Sequence, residues 1–168
     1  MSNDYSPDRF DQVKNGYVVI MVMVSFLLNL LPLGETLNIL RPDFVALVIL
    51  FMGLYNPQKI GFYWVFILGI LMDTFQGSFL GQHGLAYALL VFSSNSMARR
   101  ITLFGGRGQV VYILLLLVAA EVLVLIAVMV VGVQFPGWSF FIPAVTGALI
   151  WPIFKVCLTK FTASRKNS

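Results

Sequence analysis

Apolar residues run through this chain in long stretches broken by short polar, Gly or Pro clusters. None of the stretches alternates with the period of two expected of outer-membrane barrel strands. Six stand out, at about residues 17–33, 42–55, 60–73, 84–97, 110–133 and 139–158. The second stops at Asn56-Pro57, and the sixth carries Pro143 and Pro152, which predicts a kink or a late start. The second and third are short for helices rising ~1.5 Å per residue through a ~30 Å hydrocarbon core. They must lie in a thinned or protein-surrounded region, or extend into their polar flanks. The pattern predicts an all-α, polytopic inner-membrane helical bundle of about six transmembrane helices, with four or five as the range that the short pair leaves. A cytoplasmic segment is expected over residues 1–16, the transmembrane domain over 17–158, and a basic cytoplasmic tail over 159–168.

Composition agrees with that pattern. Of the 168 residues, 59% are hydrophobic and only 11% charged, with a mean hydropathy of +0.89. Soluble domains are nearer a quarter charged, so a water-facing surface cannot be built from this chain. The first stretch is longer than a signal-peptide core and no Ala-x-Ala-like site follows it, so it is expected to be retained.

Charge then sets the orientation. With six spans and the N-terminus inside, the inner segments hold Arg9, Lys14, Lys59, Arg99, Arg100, Arg107, Lys155, Lys160, Arg165 and Lys166, and only Arg41 falls outside. Short loops are where such a bias orients a membrane protein most reliably. An odd number of spans would put the last four bases on the wrong side, so both termini are expected in the cytoplasm.

Several classes of chemistry drop out. The net charge of +4 comes from bases at the ends of apolar runs, not from a basic stripe, so no nucleic acid is expected. One cysteine, Cys157, excludes an internal disulfide and a cysteine-based zinc site, and one histidine, His83, excludes multi-His metal motifs. No metal, cofactor or catalytic residue is expected. Gly105-Gly106-Arg107-Gly108 lacks the Gly-Lys-Ser/Thr ending of a phosphate-binding loop and is expected to be a flexible basic turn. No repeat of helix pairs is visible.

The remaining signal lies in a few polar residues at membrane depth. Glu121, near the middle of the fifth stretch, should face the bundle, protonated or hydrogen-bonded, as a proton or substrate site or as an interhelical contact. Ser93, Asn95, Ser25 or another subunit of a homo-oligomer are its candidate partners. Asp73 closes the third stretch, where a negative charge opposes the helix dipole, so it needs a partner or water. Arg41, the lone outer base, is a plausible partner. In Arg41-Pro42-Asp43, Pro42 suits the first helical position and Asp43 the first turn. Gly61 and Gly69, eight apart, share a helix face on which another helix could pack closely, as do Ala86 and Ser93.

Arg41-Pro42-Asp43-Phe44, then Gly61-Phe62-Tyr63-Trp64, Gly69-Ile70-Leu71-Met72-Asp73, and the run from Gly77 through Gly81-Gln82-His83-Gly84 to Ala88 follow one another in a distinctive order. Over residues 41–88 the chain resembles the rod shape-determining protein MreD family of Gram-negative bacteria. That resemblance implies a non-enzymatic inner-membrane member of the machinery that inserts peptidoglycan along the side wall. It also implies a bitopic MreC-like partner and, through it, the MreB cytoskeleton and the wall synthases. The implied fold is similar to the S components of energy-coupling-factor vitamin transporters. Two functions therefore compete: a scaffold that binds a partner's transmembrane helix, and a vitamin-like binding or uptake subunit. The second needs polar groups converging at midplane depth beside a discontinuous helix; an enzyme would need a nucleophile–base or carboxylate pair.

Overall fold

A helix that is apolar on every side must be enclosed by other helices, and residues 44–55 are apolar on every side. In the computed structural model, which describes residues 15–103 and 105–163, this stretch is the centre of the bundle. The helices are α1 (Asn15–Leu30), α2 (Glu35–Leu40), α3 (Phe44–Tyr55), α4 (Phe62–Gln76), α5 (Gln82–Leu103), α6 (Gly106–Val130) and α7 (Ile142–Ala163), with short 3₁₀ turns at Pro57–Lys59 and Trp138–Phe141. The described residues are helical with no strand, and six of the helices run twelve residues or more. Every residue of α3 from Val45 to Leu54 is buried. α5 packs against α3, α4 and α6, α6 packs against α7, and α1 closes on α3.

Small residues allow the closest crossings, as expected where lipid already satisfies apolar surface. A Cβ on Gly69 of α4 would fall into the backbone of Gly84 on α5, and one on Gly53 of α3 would strike the Ser94 side chain. The face proposed from Gly61 and Gly69 is therefore not free for a partner. Gly69 is used inside the bundle, while Gly61 precedes α4 and is exposed.

The two ends of the bundle differ. Lys155 Nζ donates to Gln109 Oε1 at 2.9 Å and lies 5.1 Å from the centre of the Tyr55 ring, and Gln109 Nε2 donates to the Ile101 carbonyl at 3.2 Å. The ends of α3 and α5, the start of α6 and the second half of α7 thus meet, bringing Lys59, Arg99, Arg100, Arg107 and Lys155 to one end. The Tyr17 and Phe161 rings, 6.0 Å apart, place the start of α1 and the end of α7, with Lys160, at this same end. Arg41 lies at the other. Arg9, Lys14, Arg165 and Lys166, and most of the two terminal segments, lie outside the described residues. α7 runs unbroken past residue 158 to Ala163, so no helix end marks the boundary placed there.

Three stretches among the described residues are long and apolar enough to cross a membrane: Leu37–Tyr55, Gly106–Val130 and Trp138–Thr162. Gly16–Leu30 and Phe62–Gln76 are apolar but shorter. The second stretch lengthens because α2 precedes it, separated from α3 by the three non-helical residues 41–43. The turn expected around Gly105-Gly106-Arg107-Gly108 is mostly the first turn of α6. Buried Ala98 and Ile101 keep α5 helical to Leu103, and Gln109 ties the two helices together. The sixth stretch does start late: α7 begins at Ile142 and carries Pro152 inside it.

Gly69→Ala should lower stability in detergent by about 1–3 kcal/mol or more, because backbone and not a flexible side chain must move. Gly61→Ala, whose Cβ would meet only Trp64 Cδ1 at 3.4 Å, should stay within about 0.5 kcal/mol of wild type. Thermal unfolding of the purified variants checks both.

Candidate functional site

The polar residues of the other end form two hubs and a cavity. The first hub is Asp43. It stands just before α3 in an extended conformation, and its carbonyl accepts from the Leu47 N–H at 3.1 Å, so it is the N-cap and not a first-turn residue. Asp43 Oδ1 accepts from the Ala46 N–H at 3.0 Å and from Asn29 Nδ2 at 2.7 Å, and Oδ2 accepts from the Tyr87 hydroxyl at 2.7 Å. Asn29 returns the bond through its Oδ1, which accepts from the Phe44 N–H at 3.0 Å. One carboxylate thus joins the last turn of α1, the first turn of α3 and the first turns of α5. Pro42 is buried and lies two positions before the first helical residue, Phe44, ahead of the cap rather than inside the helix. Neither Asn29 nor Tyr87 was picked out from sequence; a lone Asn in an apolar run was the available signal.

The second hub is Asp73, and here the expected pair is wrong. Arg41 Nη1 donates to the Leu31 carbonyl at 2.7 Å. Asp73, fully buried, instead collects the loop that follows its own helix. Its Oδ1 accepts from His83 Nδ1 at 2.6 Å, from the His83 N–H at 3.2 Å and from the Ser78 hydroxyl at 3.1 Å, and its Oδ2 accepts from the Gly81 N–H at 2.6 Å. Two left-handed glycines make the loop possible. Gly77 (φ 64°) ends α4, with the Ser78 N–H on the Asp73 carbonyl at 2.9 Å, and Gly81 (φ 96°) turns its N–H back onto the carboxylate. The loop shrinks to residues 77–81, and His83 belongs to α5. The sequence argument that a negative charge there needs a partner holds; the partner is His83.

Glu121 faces neither Ser25 nor the Ser93–Asn95 stretch. Ser25 turns its hydroxyl onto the Val22 carbonyl of its own helix, and Ser93 and Asn95 sit toward Tyr112 and Gly53. Glu121 instead lies by the Ala144 backbone N–H at the start of α7. It lines a cavity of about 410 Å³ whose other walls include Arg41, Asp43, Gln82, His83 and Tyr87. The convergence of polar groups that the sequence did not reveal is therefore present, and it borders the break between α2 and α3. Among the described residues, no three His, Cys, Asp or Glu side chains come together as a metal site.

Double-mutant cycles separate these arrangements. Asp73→Ala and His83→Ala should be strongly non-additive in unfolding free energy, by about 0.5–3 kcal/mol. Asp73→Ala and Arg41→Ala should add to within about 0.5 kcal/mol. Coupling of Asp73 to Arg41 rather than to His83 would restore the pair inferred from sequence.

The chain matches the family described as rod shape-determining protein MreD over residues 12–161. It is 25% identical over 138 residues to the rod shape-determining protein MreD of Haemophilus influenzae, an alignment covering 80% of this chain and 83% of that one. No solved structure matches it. With the match taking in every helix from α1 to the last turn of α7, the chain belongs to the MreD family of rod shape-determining proteins.

Proposed function

We propose that the protein is a non-enzymatic, multi-pass scaffold of the bacterial inner membrane that serves the rod-shape machinery of cell elongation. The observation that carries this reading is the family match along residues 12–161. Its proposed partner is a bitopic MreC-like protein that links it to the MreB cytoskeleton and the wall synthases, with side-wall peptidoglycan synthesis as the process supported. A six-crossing bundle similar to the vitamin-transporter S components accompanies the proposal. In that bundle α1, α4 and α5 cross the membrane alongside the three longer or more apolar stretches.

Segregation of charge supports the orientation. Lys59, Arg99, Arg100, Arg107, Lys155 and Lys160 cluster at the end where α1 starts and α7 finishes, and Arg41 lies at the opposite end. By the positive-inside rule the first end is cytoplasmic. Arg41, Pro42, Asp43, Asp73 and Gly81 then shape the periplasmic end, and Glu121 opens toward it from within the bundle. Partner helices have apolar faces to use: Val19, Met23 and Leu27 on α1, and Trp64, Ile67 and Phe75 on α4, are exposed. An uptake subunit is the second reading, and the cavity beside the broken α2–α3 segment favours it.

Depletion should turn rod-shaped cells round, and no added vitamin or metabolite should restore them; rescue by one such compound would favour uptake. A reporter active only in the cytoplasm should work when fused after Ser168 and stay silent when inserted between Gly77 and Gly81. The reverse pattern, or activity at both sites, would overturn the orientation.

A further inference from the structure

Three connections meet at the cavity end of the bundle: residues 31–43 between α1 and α3, 77–81 between α4 and α5, and 131–141 between α6 and α7. All three border the cavity with polar side chains, Asn38 from the first, Gln76 and Gln82 from the edges of the second, and Ser139 from the third. Leu37, Phe79, Leu80, Phe135 and Trp138 of the same connections are exposed but do not line it, Leu80 at 74% and Trp138 at 82%. Each connection is therefore polar toward the cavity and apolar away from it. Residues 77–81 and 131–141 hold no charged side chain at all. At the opposite end of the bundle, Arg100 and Arg107 are exposed around the α5–α6 connection.

Large apolar side chains exposed together mark a surface that something covers. A protein capping this end would meet cavity mouth and rim alike, whereas lipid around the bundle meets only the outward side. The split between polar inside and apolar outside fits lipid. Backbone chemistry then sets the depth. Hydrocarbon cannot satisfy the irregular backbone of residues 77–81 and 133–137. The headgroup region can, and it is where tryptophan concentrates in membrane proteins. Trp138 stands there with the Phe135 ring, centroids 5.7 Å apart. We propose that this rim is a lipid-binding surface seated in the headgroup region of the leaflet on its side of the membrane. Trp138 and Leu80 anchor it from two separate connections, and the cavity mouth opens at headgroup depth. The proposal rests on the multi-pass membrane reading and is independent of scaffold or uptake function and of orientation.

Tryptophan fluorescence of the full chain in phosphatidylcholine nanodiscs tests this, with lipid brominated either next to the headgroup or at the chain ends, and with iodide as the aqueous quencher. Trp64→Phe leaves Trp138 as the exposed reporter, since Trp151 is buried and gives a constant background. Its emission should fall most with bromine next to the headgroup, less with bromine at the chain ends, and little with iodide. Trp138→Phe leaves Trp64, exposed on α4, as the control for membrane insertion. Leu80→Trp, in a chain also carrying Trp64→Phe and Trp138→Phe, moves the reporter to the second connection and should repeat the Trp138 pattern. Strong iodide quenching with no effect of brominated lipid would place the rim in water and overturn the proposal. Protection from both quenchers would overturn it in favour of a protein cover, such as a second copy of the chain. Loss of lipid quenching at Trp64 as well would overturn the membrane reading itself, and the proposal with it.

Discussion

The structure depends on how a wholly enclosed helix satisfies its first turn. α3 buries ten consecutive residues, and its leading N–H groups have no intrahelical acceptor. Water cannot serve them inside a membrane bundle, and each buried group left unpaired costs about 1–3 kcal/mol. Asp43 and Asn29 meet this need together, the first accepting from Ala46 and the second from Phe44. Because Asp43 also accepts from Asn29 and Tyr87, capping one helix fixes the relative positions of three. A capping residue thereby becomes the joint of this end of the bundle.

The rest of that end follows from the joint. Capping at Asp43 requires the chain to leave helical geometry at residues 41–43, which separates α2 from α3 and opens one wall of the cavity. Tyr87, held by Asp43, lies one turn beyond His83, and His83 is held by Asp73. The two hubs therefore set the start of α5 from both sides, while Gly69 and Gly84 bring α4 and α5 into backbone contact. The opposite end is tied differently, by Lys155, Gln109 and Tyr55. One end is thus held by two carboxylate hubs, and the other carries the basic cluster.

Much of this was legible in the sequence, because membrane helices announce themselves by apolar length. The all-helical class, the late start of α7, a helix-start role for Asp43 and the need of Asp73 for a partner all follow from local rules. The misreadings were non-local. Arg41 was matched to Asp73 because it was the only outer base, yet His83, ten residues on, reaches Asp73 once Gly77 and Gly81 turn the loop back. The glycines of residues 105–108 look like a turn, but Gln109 reaching the Ile101 carbonyl makes them the start of a helix. Asn29 and Tyr87 are single polar groups in apolar runs, and only packing reveals that they converge on Asp43. Glu121 was visible as an acid in an apolar run, while its companions came from the α2–α3 break, α5 and the start of α7 and left no sequence pattern.

The most direct test of the Asp43 joint is the cost of Tyr87→Phe measured in two backgrounds, wild type and Asp43→Leu, by unfolding of the purified protein. In wild type the lost hydroxyl should cost about 0.5–2 kcal/mol, the range for hydrogen bonds inside membrane bundles and to charged groups. In the Asp43→Leu background it should cost close to nothing, since the acceptor is already gone. An equal cost in both backgrounds would show that Tyr87 is held by something other than Asp43, and would contradict the account.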